Sequence, residues 1–189
     1  MSARADRERL ACQARLLATI GAPAEVGPRA ARLGRRLAGR AAAPARFDDV
    51  AAMPDWAGWP APRRESLADF AAACACTAAL QRCIDGRRLA RVARRIGEPA
   101  LDAILATPPG LVPVLPEAAA ALGEDASFAA LGAGVLLCEV GNRPASVERL
   151  RPLFAAAPLT LDVERGRSVA HAARGLFMAF EAGALEAAA

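Results

Sequence analysis

The chain has no lysine, no tyrosine, a single histidine and no run of β-branched residues longer than two. Each scarcity removes a class of protein. Without β-branched or aromatic runs there is little from which to build strands, while abundant alanine keeps its helix preference without help from packing. The lone His171 lies between Val169 and Ala173 in a helical pattern, with no cysteine or carboxylate at ligand spacing, so no nucleophile–base–orienter arrangement is signposted. Neither a GxxxxGK[ST] nor a GxGxxG phosphate loop occurs. Long apolar runs are missing too: Phe70 to Gln81 and Ala126 to Cys138 fall short of the roughly 18 residues a membrane span needs. Met1 to Arg9 is charged, and Leu10 to Ile20 is broken by Gln13 and Arg15, so no signal peptide is expected.

Five cysteines, an odd number, form no disulfide-like framework, and a reducing cytoplasm is the expected setting. Cys74 and Cys76 point to different sides of a helix. Cys76 and Cys83 are seven apart and can share a face, but a zinc site would want two more ligands. The adjacent pairs Asp48-Asp49 and Glu124-Asp125 read as helix-start residues rather than acid/base catalysts. No metal, no cofactor and no catalytic residue are expected, and the chain reads as a non-enzyme.

What is present is alanine, arginine and helical periodicity. All 24 basic residues are arginine, a bias that a GC-rich coding sequence explains, and the net charge is only +4. Such an excess permits acidic or nucleic-acid partners without demanding them. The fold expected is all-α, a domain of about seven to nine helices over 1–189. A Trp/Pro-rich loop near 44–62 and a Pro-rich hinge near 107–116 interrupt it, and the hinge allows two subdomains, 1–106 and 117–185.

In order, Arg4 to Ile20 forms a first helix and Glu25 to Arg40 a basic amphipathic one, its polar face either solvated or partner-facing. Trp56 and Trp59 lie among Pro54, Pro60 and Pro62, and either pin that turn onto the core or form an exposed hot spot. Arg63 to Ile84 is an alanine-rich helix suited to close interior packing, closed by Gly86. Asp85 can cap the next helix, where Leu89, Val92, Ala93 and Ile96 follow the i, i+3, i+4, i+7 pattern and Arg87, Arg88, Arg91, Arg94 and Arg95 fill the rest. Gly97 suits a C-terminal cap and Pro99 the first turn of a further helix. Beyond the hinge, Phe128 to Glu139 is helical, with Gly132 and Gly134 placed for close backbone contact. Asn142 and Pro144 open a helix carrying Val147, Leu150 and Phe154. Asp162 caps a last one, with Val169, Ala173, Leu176, Phe177 and Phe180 as its stripe, and the tail frays from Gly183.

Two functional readings compete for 80–105. In the first, residues 89–105 form a DNA-binding helix-turn-helix, with Ala93 and Gly97 four apart. Against it, Glu98 stands where an apolar residue is wanted, and Pro99 to Leu105 offers Asp102 but no arginine, asparagine or glutamine to read bases.

The second is a resemblance. Met53-Pro54-Asp55-Trp56 leading to Trp59-Pro60 resembles a Pro-Ser-Trp element, and Arg82-Cys83-Ile84-Asp85-Gly86 resembles an Arg-x-x-Ile-Asp-Gly segment. Arg87 to Ile96 followed by Gly97-Glu98 resembles a helix ending in Leu-Gly-Glu. Leu131-Gly132 to Leu137, Pro144-Ala145 and Arg149-Leu150-Arg151 resemble a Gly-x-x-Leu-Leu, Pro-Ala, Arg-Leu series. In this order, over about Asp49 to Leu153, the pieces are similar to the YscK family of bacterial type III secretion systems. Two places depart from it: Asp55 replaces the serine, and Pro152-Leu153-Phe154 replaces a basic-apolar-Pro ending. The resemblance implies a helical, non-catalytic, cytoplasmic adaptor of the sorting platform, peripheral to the inner membrane through protein partners. It would link the inner-membrane ring protein to the C-ring-like pod protein and the ATPase complex. No nucleic acid and no membrane span are implied. Trp56, Ile84, Asp85, Gly86, Gly97, Pro144 and Arg149 are the family-like positions, and the five arginines from Arg87 to Arg95 are the candidates for meeting a partner.

Overall fold

The computed structural model describes residues 53–183 apart from Asn142. The helices expected over Arg4 to Ile20 and Glu25 to Arg40, the Asp48-Asp49 pair and the tail beyond Gly183 lie outside the described residues. Among the described residues the fold is all-α, with eight α-helices and no strand. They are α1 (Ala61–Ala75), α2 (Thr77–Leu80), α3 (Gly86–Ile96), α4 (Glu98–Leu105), α5 (Ala118–Ala121), α6 (Asp125–Cys138), α7 (Pro144–Leu150) and α8 (Val163–Glu181). Two short 3-10 turns, Asp55–Gly58 and Arg151–Leu153, complete the set.

The core is a three-helix seam in which α1, α6 and α8 each pack on the other two. Small residues allow this. A Cβ built on Gly132 of α6 would come within 2.1 Å of the Ala68 carbonyl oxygen of α1. One on Gly134 would come within 2.5 Å of the Leu159 carbonyl oxygen, and Leu159 N–H in turn donates to Ala130 O at 3.0 Å. So α6 touches backbone on two sides, as its glycines led one to expect, and alanines line the facing wall of α1. Leu67, Leu131, Val135, Leu136 and Val169 fill the seam with essentially no exposure, each burial stabilising by about 1.5–3 kcal/mol.

The alanine-rich helix is shorter than the periodicity indicated. It ends at Ala75 rather than running to Ile84, and Gly86 opens α3 instead of closing this helix. Polar groups at the break explain the stop: the Cys76 thiol donates to Ala118 O at 3.2 Å and the Thr77 hydroxyl donates back to Cys74 O at 2.7 Å. Side chains that bond the backbone locally compete with helix continuation.

The segment from Ala106 to Glu117 is irregular, as the prolines require, yet it buries Val112 and Leu115 in the same core. The halves on either side of it share that core, since α1 lies against α6 and α8. α3 and α4 pack on each other and on α1, with Gly97 at φ +88° making the turn between them. That conformation favours glycine because it lacks a Cβ. None of the described helices is long and apolar enough to cross a membrane.

Candidate interaction surface

Helix α3 starts because Asp85 caps it: the Asp85 carboxylate accepts from Arg87 N–H at 2.9 Å. It ends at Gly97, whose N–H donates to Ala93 O at 2.7 Å. Val92 is buried, and Leu89, Ala93 and Ile96 pack against the core beside it. The inward stripe fixes which way the arginines point.

The five arginines divide into two groups. Arg95 turns inward, where its guanidinium pairs with Asp69 of α1 at 2.7 Å and lies 5.5 Å from the Phe128 ring centroid. Arg91 donates to the Gly123 carbonyl and stands 3.9 Å from the Asp125 carboxylate. These two staple α3 to α1 and to the start of α6, so Arg95 in particular is not a spare surface charge. Arg87 and Arg94 are exposed with no partner among the described residues, and Arg88 is exposed with only the capping Asp85 at 3.4 Å. The outward cationic face is Arg87, Arg88 and Arg94, joined by exposed Arg82, whose Nε–H is bonded to Ala78 O at 2.9 Å.

The neighbouring helix α4 has the opposite character. It buries Ala100, Leu101 and Ile104 and exposes Glu98 and Asp102. Its outer face therefore carries carboxylates and no donor for phosphate or base edges.

The family-like positions fall on structural punctuation, except one. Trp56 is fully buried, packs at a tilt against Phe154 with ring centroids 5.8 Å apart and donates its indole N–H to Glu139 at 2.5 Å, so it pins its turn to the core. Trp59 is half-buried, stacked on Phe177 at 6.2 Å beneath the Arg63 guanidinium at 3.8 Å. Pro144 is the first residue of α7, and Arg149 is half-buried near its end. Gly86 is exposed, and a Cβ there would meet nothing within 4 Å. The exception is Ile84, which is fully exposed, at 101 %.

One buried carboxylate has a role that local sequence does not signal. Glu139, with a side chain only 5 % exposed, accepts from Trp56 and from Arg174 at 2.8 Å, while His171 Nδ1 lies 4.0 Å away. His171 thus does have a carboxylate near it, supplied from 32 positions earlier and invisible to local spacing. Its own side chain is 59 % exposed. Burial pushes the Cys76 thiol up to about 12 and the Cys138 thiol up to about 11, and raises Cys74 also. Such thiols stay protonated and unreactive at neutral pH. Among the described residues no three His, Cys, Asp or Glu side chains gather as for a metal ion.

A cavity of about 250 Å³ lies beside the Asp69–Arg95 pair, lined by Glu65, Ala129 and Phe154 among others. Of the three charged side chains that line it, Asp69 and Arg95 pair with each other at 2.7 Å, and Glu65 is the third. Comparison of the chain with family models, curated proteins and solved structures finds no match.

Proposed function

We propose that the protein is a non-catalytic adaptor of a type III secretion sorting platform, joining the cytoplasmic face of the inner-membrane ring to the pod protein and through it to the ATPase complex. The observation that carries this reading is the ordered series of YscK-like segments from Asp49 to Leu153. Most of these segments coincide with the punctuation of the fold: Trp56 in the core, Asp85 as a cap, Gly97 as a positive-φ turn and Pro144 as a helix start. The surface supports it as well. A helix held rigid by Arg91 and Arg95 presents Arg87, Arg88 and Arg94 outward. An exposed cationic face of this kind steers acidic partners into place. The role places the protein in the cytoplasm, at the inner membrane only through other proteins.

The test is a pull-down with the tagged full chain from native lysate at moderate salt, read by mass spectrometry. Recovery of the pod protein, inner-ring protein or ATPase regulator of a type III system is expected. Recovery of DNA, or of nothing reproducible, overturns the reading and returns weight to a helix-turn-helix over 89–105.

A further inference from the structure

Ile84 is the most exposed large apolar side chain among the described residues, and the turn that carries it has no structural use for it. Leu80, 1 % exposed, is the last core anchor before the turn. Cys83 N–H then donates to Leu80 O at 2.9 Å, and the Asp85 carboxylate caps α3. Neighbours perform every structural task between α2 and α3. A serine at position 84 would leave all of those bonds in place, so the apolar character gains nothing for folding.

The surroundings give that side chain a context. Arg82 precedes it, Arg87 and Arg88 follow, and all three are exposed. Asp85 is the only carboxylate between Ala78 and Gly97. Its two oxygens are already engaged, one by the Arg87 backbone N–H and the other by the Arg88 guanidinium at 3.4 Å. Gln81 ties the turn to the neighbouring loop by donating to Leu105 O at 3.1 Å and Thr107 O at 2.8 Å, and that loop exposes Leu111 and Val114. The turn thus combines one protruding apolar side chain with three exposed arginines and a single carboxylate.

We propose that the Ile84 turn is the anchor of a docking surface for a partner protein whose face carries an apolar pocket rimmed by carboxylates. Ile84 enters the pocket, and Arg82, Arg87 and Arg88 pair with the rim. A small buried apolar anchor surrounded by polar contacts is the usual layout of an interface hot spot. The chemistry favours a protein over the other polyanions. A nucleic-acid backbone rewards the arginines but not a protruding isoleucine. A bilayer surface calls for an amphipathic helix with its apolar stripe outward, and the stripe of α3 is turned into the core.

This inference rests on the adaptor reading and specifies its surface, so the test separates the two. The purified full chain, wild type and the variants Ile84→Ser and Ile84→Asp, is measured by interferometry against three probes. These are the purified pod protein, the purified cytoplasmic domain of the inner-ring protein, and vesicles containing phosphatidylglycerol. Wild type is expected to bind one protein probe, Ile84→Ser to bind it roughly 10- to 100-fold more weakly, and Ile84→Asp more weakly still. Melting temperatures of all three are expected to coincide. Equal binding by wild type and Ile84→Ser overturns the anchor and leaves the adaptor standing. Failure of wild type to bind either protein probe overturns both. Ile84-dependent binding to vesicles alone, or a lowered melting temperature for Ile84→Ser, overturns the anchor in favour of a membrane contact or a role in the fold.

Discussion

Helix α6 buries nine of its fourteen residues, whereas α3 buries one of its eleven. α6 has glycines where neighbouring backbones approach and apolar side chains on every face, so its residues are constrained by volume. α3 is held by one buried valine, a half-buried apolar stripe and two inward arginines, and its remaining surface is free to carry charge. Substitutions in the first region should therefore be read out as stability, and substitutions on the outer face of the second as binding.

The largest effect is expected in the buried network that closes over α6. Trp56→Ala removes a fully buried ring and leaves the Glu139 carboxylate short of a donor. Denaturant unfolding should show a loss of about 3–5 kcal/mol. Near-wild-type stability would mean that the tryptophan turn is not fixed to the core. Gly132→Ala comes next. Its methyl would collide with the Ala68 carbonyl, and helix backbones yield less easily than side-chain ends. A loss of about 1–3 kcal/mol is expected, with Ala129→Ser, on the half-buried edge of the same helix, as a mild control.

Within α3 the comparison sharpens. Arg95→Glu places a carboxylate against Asp69 and removes the staple to α1, so a loss of about 1–3 kcal/mol is expected. Arg94→Glu, one residue away but exposed and unpartnered among the described residues, should stay within about 0.5 kcal/mol of wild type. If the two variants melt alike, the division of the arginines into inward and outward groups is wrong.

The smallest effect is in pH dependence. Burial raises the Asp69 carboxyl above its ordinary value, more than the hydrogen bond and charge of Arg95 lower it, and the charges of Glu65 and Asp125 raise it further. The folded chain then holds this proton more tightly than the unfolded chain does. Its contribution to stability is present below the unfolded pKa and is lost as pH rises through the folded one. Comparing Asp69→Asn with wild type across the acidic range should show a decline with rising pH that only wild type has.

The same contrast explains how much could be read from residues alone. α3 announces itself because its signals are local: a capping aspartate, a 3.6-residue stripe and a closing glycine all lie within thirteen positions, Asp85 to Gly97. α8, with its Asp162 cap bonded to Arg165 N–H at 2.9 Å and its Val169, Ala173 and Phe177 stripe, is legible for the same reason. In α6 Phe128, Leu131, Gly132 and Val135 mark one face in the sequence, but burial extends to Ala133, Gly134, Leu136, Leu137 and Cys138 on the other sides, which a single stripe does not show. The end of α1 was hidden because the Cys76 thiol finds its acceptor 42 positions away. The Trp56–Glu139 bond spans 83 positions and leaves no trace in local spacing. The inward turn of Arg95 did leave one: it follows Val92 by three and so lies on the edge of the buried stripe.

The most direct test of the account compares wild type with the double variant Arg87→Glu/Arg94→Glu, each used as tagged full-length bait in the native lysate beside a thermal melt. Wild type should recover a pod or inner-ring protein of a type III system, and the double variant should lose it while melting at the same temperature. Equal recovery by both proteins would contradict a partner-facing role for the outer arginines of α3, and recovery of no secretion component by wild type would contradict the adaptor itself.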